Sequence, residues 1–339
     1  MTLGRGRYCR EMAAPPSPSP VQRRIAEELA EAGVELQGSD AWRSLLLGEI
    51  DAALRPQLHE RRVFSLGSII DPTTDEATWE PGTELVMRRG PLEALPVPDA
   101  RRFADGMSSW LLRRADGPQE WVVFDRPAGS ERDLVVVAEV LGATVVQRHP
   151  TGVVRVVGAF GVVRGDGLRW HREPPISSWL DAVVSSVRGD PEVIELLLEF
   201  AVHDLGARGI GAILVHRTDD ERSGPNVEAR LPRPPPLRVR RAADLAPLRH
   251  ALGQVDGAAV LDADGVLRQI GVRLVPSPDA EASVDGLRGM RHTAGRRYSF
   301  DDPTATVIVV SEDGPVTVLR GGELVATSPS AGDGERTFV

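Results

Sequence analysis

The stretch Gly209-Ile210-Gly211-Ala212-Ile213-Leu214-Val215 decides the fold of the C-terminal half of this chain. Its short apolar run predicts a buried strand. The polar, proline-rich residues from Thr218 to Pro236 follow the strand and predict a loop. Because helical and strand-like patterns alternate on both sides of this stretch, we expect an α/β domain here.

Further helices and strands are predicted around this strand. Asp190 and Pro191 are residue types that favour the N-cap and first position of a helix. Asp264-Gly265 is a hairpin-turn signal between two strand-like runs. The predicted helices cover 176–187, 192–207 and 242–252, and the predicted strands cover 255–261, 266–275, 306–310 and 316–319. Together they predict a mixed β-sheet flanked by helices.

The N-terminal half is expected to be a separate α/β or α+β domain over residues 21–175. Glu173-Pro174-Pro175 is the predicted boundary, and all six tryptophans lie at or before Trp179. Residues 176–328 then form the C-terminal domain. Within the first domain, 103–114 predicts a short amphipathic helix, whereas the apolar run from Leu134 fits either a strand or a helix.

Both ends of the chain are expected to be tails. Residues 1–20 are rich in proline and serine and are expected to be disordered. Either Met1 or Met12 could be the start of translation. Residues 329–339 follow the last predicted hairpin and are interpreted as a second tail.

Composition excludes several classes of protein. The 40 basic residues are all arginines, so that Walker-type phosphate loops, Schiff-base enzymes and protein kinases, which need a lysine, are excluded. A net charge of −9 argues against a nucleic-acid or anionic-membrane partner. A single cysteine, Cys9, fits a reducing cytosol, and no apolar run is long enough for a bilayer. We therefore expect a cytoplasmic protein.

Several motif-like segments do not support a site. The glycine-rich segment from Gly206 to Gly211 lies between a predicted helix and a strand, which is the reverse of the dinucleotide-binding order. Asp262-Ala263-Asp264-Gly265 fits a hairpin turn better than a calcium loop. The seven histidines include no pair at helical ligand spacing, so a histidine-based zinc site is not expected.

Two segments carry candidate chemistry. Asp256-Gly257-Ala258 places a carboxylate at the start of an apolar strand, and Gly257 leaves room for a flat ligand or another backbone. A turn is the alternative. The segment from Leu287 to Arg297 has four arginines, one histidine and no acid. It fits either a solvated helix face or, with Gly289, a turn before a helix that binds an anion. Together they predict a nucleoside triphosphate site with a divalent ion.

These segments, followed by Val310-Ser311-Glu312-Asp313-Gly314, resemble the diadenylate cyclase (DAC) domain, which occurs in the DNA integrity scanning protein. The resemblance covers about residues 180–326. It implies that two ATP molecules are joined into cyclic di-AMP with release of two pyrophosphates. It also implies a homo-oligomer with facing DAC domains, because the product has two-fold symmetry. The N-terminal domain would then be a sensor for an unknown signal ligand.

The resemblance also assigns roles to individual residues. Asp256 would be catalytic and would bind a divalent metal, Mg²⁺ or Mn²⁺, while Glu312 would be a second catalytic or metal-binding carboxylate. The implied ATP-binding residues are Gly257, Ala258, Leu274, Met290, Arg291, His292, Thr293 and Ala294.

One departure from the family pattern leaves activity open. The usual Arg-His-Arg-x-Ala is Arg291-His292-Thr293-Ala294-Gly295 here, with threonine in the place of the second arginine. Arg296 or Arg297 are the candidates to replace it. The alternatives to a cyclase are a catalytically weak or inactive nucleotide-binding sensor and a structural interaction module.

Overall fold

The structure is a computed structural model, and it describes residues 18–55, 58–59, 62–92, 95–165, 167–186, 189–218, 227–287, 289–312 and 315–328. Most of both predicted tails, together with Cys9, Arg288, Asp313 and Gly314, lies outside these residues. Within them, the chain divides into two compact units. The first comprises Met1–Pro127, Leu141–Val156 and Arg164–Trp170, and the second comprises Ala128–Val140, Val157–Val163 and His171–Val339. Because these segments interleave along the chain, the predicted boundaries at 21–175 and 176–328 stay predictions.

The described helices are short to medium in length. They are α1 (Pro20–Glu31), α2 (Asp40–Leu54), α3 (Trp79–Thr83), α4 (Val97–Ala100), α5 (Glu131–Leu141), α6 (Ser177–Ser186), α7 (Pro191–Glu199), α8 (Ala242–Leu252), α9 (Pro278–Ser283) and α10 (Met290–Asp301). A π-helical segment, Phe200–Leu205, and a 3₁₀ turn, Gly206–Arg208, continue α7. Among the described residues, no helix combines the length and the apolar character needed to cross a bilayer.

The described strands form two large sheets and one small hairpin. They are β1 (Leu58–His59), β2 (Arg62–Val63), β3 (Leu66–Ile70), β4 (Met87–Pro91), β5 (Ser109–Arg113), β6 (Glu120–Phe124), β7 (Thr144–Arg148), β8 (Val154–Gly158), β9 (Gly161–Gly165), β10 (Trp170–Glu173), β11 (Ala212–Arg217), β12 (Val227–Glu228), β13 (Ala258–Leu261), β14 (Leu267–Leu274), β15 (Ala305–Val310), β16 (Val316–Arg320) and β17 (Glu323–Thr327).

The eight-stranded sheet has the order β10-β9-β8-β7-β3-β5-β6-β4. It is mixed, because β3 runs parallel to β5 and antiparallel to β7. In the first unit, the buried carboxylate of Glu49 receives hydrogen bonds from Ser68, Arg101 and Arg113. Burial raises the pKa of Glu49, but the two arginines more than offset this and hold it below its ordinary value. The pair of arginines thus keeps a buried acid ionised.

The seven-stranded sheet has the order β12-β14-β13-β11-β15-β16-β17 and is also mixed. The strand quoted at the start, β11, lies at its centre, parallel to β13 and antiparallel to β15. Successive strand residues point to opposite faces. On one face, Leu214 and Ile308 pack with residues of α6, α7 and α8, and on the other Ile213 and Val307 pack with Tyr298 of α10. The predicted fold, a mixed sheet flanked by helices after an α/β N-terminal domain, is confirmed.

The structure tests the predictions for two segments of the N-terminal half. The predicted helix over 103–114 is wrong, because Ser109–Arg113 is the buried strand β5. The side chain of Asp105 accepts hydrogen bonds from the backbone N–H groups of Met107, Ser108 and Ser109, which forms a turn before the strand. The run from Leu134 belongs to helix α5, one of the two alternatives.

Candidate functional site

A cavity of about 280 Å³ lies at one end of the seven-stranded sheet. The parallel strands β11 and β13 begin at this end, with Ile213 opposite Ala258. The antiparallel strand β15 ends there, with Val310 opposite Ala212. The cavity is lined by Gly209, Ile210, Gly211, Leu252, Gly253, Gln254, Val255, Asp256, Gly257, Arg291 and Glu312. It lies within the second compact unit.

Asp256 and Gly257 form part of the cavity wall where the loop after α8 turns into β13. Gly257 has a φ of +113°, which disfavours any residue with a side chain. A Cβ atom at this position would lie 2.8 Å from both the carbonyl carbon of Gly271 and the carbonyl oxygen of Val272. The backbone of β14, rather than a ligand, therefore explains why this residue is glycine.

Arg291 and Glu312 face each other across the cavity wall. The Nη1 group of Arg291 donates a hydrogen bond to Oε1 of Glu312 at 3.0 Å. Their side chains remain 42% and 58% exposed. Exposed ion pairs contribute little to stability, about 0–1 kcal/mol, so that the guanidinium can exchange its carboxylate partner for a ligand anion at small cost.

Thr293 uses its hydroxyl within the turn before α10. Gly289 is the N-cap residue, with a φ of +92°. The Oγ1 group of Thr293 lies 2.9 Å from the carbonyl oxygen of Leu287 and 3.1 Å from that of Gly289, and it also accepts from the N–H of Leu287. The threonine that replaces the family's second arginine therefore stabilises the turn.

His292 is half-buried beside strand β16. Its Nε2 atom lies 3.2 Å from Oγ1 of Thr317. Burial lowers the pKa of His292 below its ordinary value of 6.5, so that the ring is mainly neutral at pH 7. A neutral imidazole can donate or accept a hydrogen bond but adds no positive charge to the site.

The candidates to replace the missing arginine are bound elsewhere. Arg296 donates through Nε to the carbonyl oxygen of Gly322 at 2.6 Å and through Nη1 to that of Asp285 at 3.3 Å. Arg297 donates to the carbonyl oxygen of Val284 at 3.3 Å. Both guanidinium groups thus tie α10 to neighbouring loops.

The structure brings four of the residues selected from the sequence to the cavity: Asp256, Gly257, Arg291 and Glu312. The remaining six do not line it: Ala258, Leu274, Met290, His292, Thr293 and Ala294. Ala258 and Leu274 are buried in the sheet, and Met290 is 90% exposed at the start of α10. Arg288, part of the same basic segment, lies outside the described residues.

Gly211 and the segment from Leu252 to Val255 also line the cavity, although their residue types gave no signal of a site. Gly211 belongs to the glycine-rich segment that does not fit a dinucleotide fingerprint. Only the folded sheet shows that it lines the cavity. Helix α8, which leads to the missed segment, is attached to the π-helical segment by an ion pair between Arg249 and the buried Asp204. No local pattern indicates that pair.

The carboxylates of Asp256 and Glu312 fit a divalent cation of the Mg²⁺ type. Both line the same cavity, and carboxylate oxygens are the ligands that such hard cations prefer. The described residues contain no group of three or more histidine, cysteine, aspartate or glutamate side chains that could hold a metal ion. The ion would therefore need substrate phosphates and water as further ligands, which is usual for Mg²⁺.

Comparison with family models supports the resemblance inferred from these segments. Residues 23–173 match the model described as probable sensor domain DACNK. Residues 199–324 match the model described as DisA bacterial checkpoint controller nucleotide-binding. No curated protein gives a significant match. The chain therefore contains a nucleotide-binding domain of the DAC type, preceded by a probable sensor domain of the DACNK type.

Proposed function

We propose that this protein is a diadenylate cyclase, which joins two ATP molecules into cyclic di-AMP and releases two pyrophosphates. The observation that supports this best is that Asp256, Arg291 and Glu312, from distant parts of the chain, line one cavity. Nucleotidyl transfer depends mainly on positioning and on stabilising negative charge. An arginine and two carboxylates at one cavity are suited to that chemistry, and the match to the DAC nucleotide-binding model supports the same reaction.

Each residue would have a distinct part in the reaction. The 3′-oxygen of each ATP would attack the α-phosphorus of the other, so that two phosphodiester bonds form and the two bonds from α-phosphorus to pyrophosphate oxygen break. The two hydroxyl protons are released to solvent. Asp256 orients the attacking hydroxyl, and Arg291 donates hydrogen bonds to phosphate oxygens as their charge increases. Glu312 would be the second carboxylate to hold a divalent cation. A bound divalent ion supplies positive charge to the phosphates and lowers the pKa of the attacking hydroxyl.

The two-fold symmetry of cyclic di-AMP supports a site that is completed by a second subunit. Two such half-sites related by a two-fold axis would hold the two ATP molecules of one symmetric product. The active species is therefore expected to be a homo-oligomer with facing DAC domains.

We further propose that the N-terminal domain regulates the cyclase in response to a signal ligand. Glu131 lies in the range of the sensor model and His203 in that of the nucleotide-binding model, yet both belong to the second compact unit. Their buried side chains are hydrogen-bonded at 2.9 Å. His203 lies in the π-helical segment, and the chain continues from there to Gly209 at the cavity. This contact is the candidate route for regulation.

The test is incubation of the purified full chain with ATP and Mg²⁺ or Mn²⁺, followed by mass-spectrometric measurement of cyclic di-AMP. The Asp256→Asn protein should lose about 100-fold or more in turnover, because the amide lacks the charge that holds a cation and orients the hydroxyl. The matched control is Asp279→Asn, at an exposed position of α9, which should leave turnover unchanged. Full product formation by Asp256→Asn would remove this residue from the mechanism.

A nucleotide sensor without turnover is the second candidate function. It is favoured by one observation, the use of the Thr293 hydroxyl within its own turn while Arg296 and Arg297 bind backbone carbonyl oxygens. Among the described residues, the cavity would then have a single arginine for the phosphates. Calorimetry that shows saturable ATP binding, together with no cyclic di-AMP in the same samples, would establish this function in place of the cyclase.

A further inference from the structure

The backbone at Gly211 lies directly beneath the guanidinium of Arg291. A Cβ atom on Gly211 would lie 2.4 Å from Nη1 and 2.7 Å from Cζ of Arg291, and 3.1 Å from Cγ of Glu312. Carbon atoms in van der Waals contact are about 3.5–4.0 Å apart. Arg291 therefore occupies the space that any side chain at position 211 would fill.

Backbone conformation gives no reason for glycine at this position. Gly209 and Gly257 have φ values of +64° and +113°, which favour glycine, whereas Gly211 is absent from the residues with positive φ. The requirement at 211 is thus for space alone. This separates Gly211 from Gly209 and Gly257.

The ion pair with Glu312 is too exposed to fix Arg291 by itself. The two side chains are 42% and 58% exposed, and pairs of that kind contribute about 0–1 kcal/mol. Contact with a flat backbone removes rotamers that the long arginine side chain would otherwise sample. The backbone of the glycine thus restricts the guanidinium from one side.

We propose that Gly211 is a positioning residue, which sets the guanidinium of Arg291 against Glu312 at the cavity so that it meets the phosphates of a bound nucleotide. The inference rests on the proposed nucleotide site and extends it to a residue without functional atoms of its own. Because the displaced group is the end of a flexible side chain, a methyl group at 211 should move Arg291 without unfolding the domain.

The test is a double-mutant cycle on the full chain with wild type, Gly211→Ala, Arg291→Ala and the double variant. Gly211→Ala should lower kcat/KM by tenfold to about 100-fold, since misplacement by about 1 Å has effects of that size. In the Arg291→Ala background it should have almost no further effect, because the two residues act as one unit. Equal effects of Gly211→Ala in both backgrounds would overturn the proposal.

A matched control and an independent measurement complete the test. Gly48→Ala, in α2, meets no atom nearer than 3.7 Å and should leave kcat/KM unchanged. Site-resolved modification by phenylglyoxal reports on Arg291 without nucleotide, and Arg291 should react faster in Gly211→Ala than in wild type. If wild type forms no cyclic di-AMP, the proposed function fails, and the modification rate alone decides the role of Gly211. An unchanged rate would overturn it.

Discussion

The ion pairs at the two ends of the seven-stranded sheet differ in their exposure to solvent. At the cavity end, Arg291 and Glu312 are 42% and 58% exposed and share one hydrogen bond. At the other end, where β11 finishes and β15 begins, Arg217 and Asp302 form an ion pair with side chains only 5% and 4% exposed. The same pair of chemical groups thus lies in solvent at one end and in the protein interior at the other.

The difference shows which charges are available to a ligand. Both carboxylate oxygens of Asp302 are occupied, Oδ2 by Arg217 and Tyr298 and Oδ1 by the N–H and hydroxyl of Thr304. A saturated, buried carboxylate stabilises the fold but has no position left for a substrate. The cavity end keeps its charges only partly paired, which is the condition that binding and catalysis require.

The largest effect is expected at the buried end. Arg217→Met should lower the free energy of unfolding by about 3–5 kcal/mol, because it leaves the charge of Asp302 buried without its partner. Urea denaturation measures this change. The matched control is Arg273→Met, which removes a 61% exposed arginine paired with Glu228 and should change stability by less than about 0.5 kcal/mol. Equal effects of the two substitutions would show that the buried ion pair is no more important for stability than an exposed one.

A smaller effect is expected from Glu312→Gln at the cavity end, and its direction should depend on whether a metal is present. Without metal, ATP should bind up to about fivefold more tightly, because the variant removes the carboxylate that competes with phosphate for Arg291. With metal, turnover should fall, because a cation ligand is lost. Calorimetry in the presence of EDTA measures the affinity for ATP, and the cyclase assay with metal measures turnover.

Glu323→Gln is the matched control for that experiment. Glu323, in β17, is 81% exposed and pairs with Arg296 of α10, but it does not line the cavity. Its substitution should change neither measurement. Weaker metal-free binding by Glu312→Gln would show that Glu312 does not compete with the nucleotide for Arg291.

The smallest effect concerns the pH dependence of stability through His216, which is opposite Thr306 at the buried end. Burial lowers the pKa of His216 below 6.5, although a backbone hydrogen bond to Ala263 and the charges of Asp262 and Asp190 act against this. The unfolded chain therefore binds a proton more readily, and stability should be complete above pH 6.5 and decrease as the pH falls towards the folded pKa.

The measurement is the urea midpoint of wild type and His216→Gln at pH 8 and pH 5.5. Wild type should lose more stability over this interval than the variant, while the contribution of other titrating groups cancels in the difference. His250→Gln, at an exposed position of α8, should keep the wild-type pH dependence. If His216→Gln keeps it as well, His216 is not the group responsible.

Local patterns predicted the elements of the nucleotide-binding domain well, but not where a helix changes type. Helix α7 begins at Pro191 with Asp190 as its N-cap, as the sequence predicted. The π-helical segment that follows was not predicted. Its residues His203 and Asp204 bind Glu131 and Arg249, which lie 72 and 45 positions away in the sequence. Partners so distant act through tertiary packing, which a local pattern does not contain.

The candidate site shows the same limit. The residue types of Asp256 and of the arginine-rich segment with Arg291 predicted a nucleotide site, and the resemblance added Glu312. The structure places all three residues at one cavity. The roles of the glycines depended on their neighbours instead. Gly257 meets the backbone of β14, and Gly211 meets a side chain from α10. The neighbouring atoms that exclude a side chain at a glycine can be identified only in the folded structure.

The left-handed conformation of Gly257 has an evolutionary consequence. Any single-base change in a glycine codon that alters the residue adds a Cβ atom, and here that atom would collide with the main chain of β14. Selection for a folded protein is therefore enough to retain this glycine, whether or not the neighbouring Asp256 still serves catalysis. In a relative with a decayed enzyme, the glycine of Asp-Gly-Ala would outlast the activity, so that Asp256 and Arg291 are the better markers of a working cyclase.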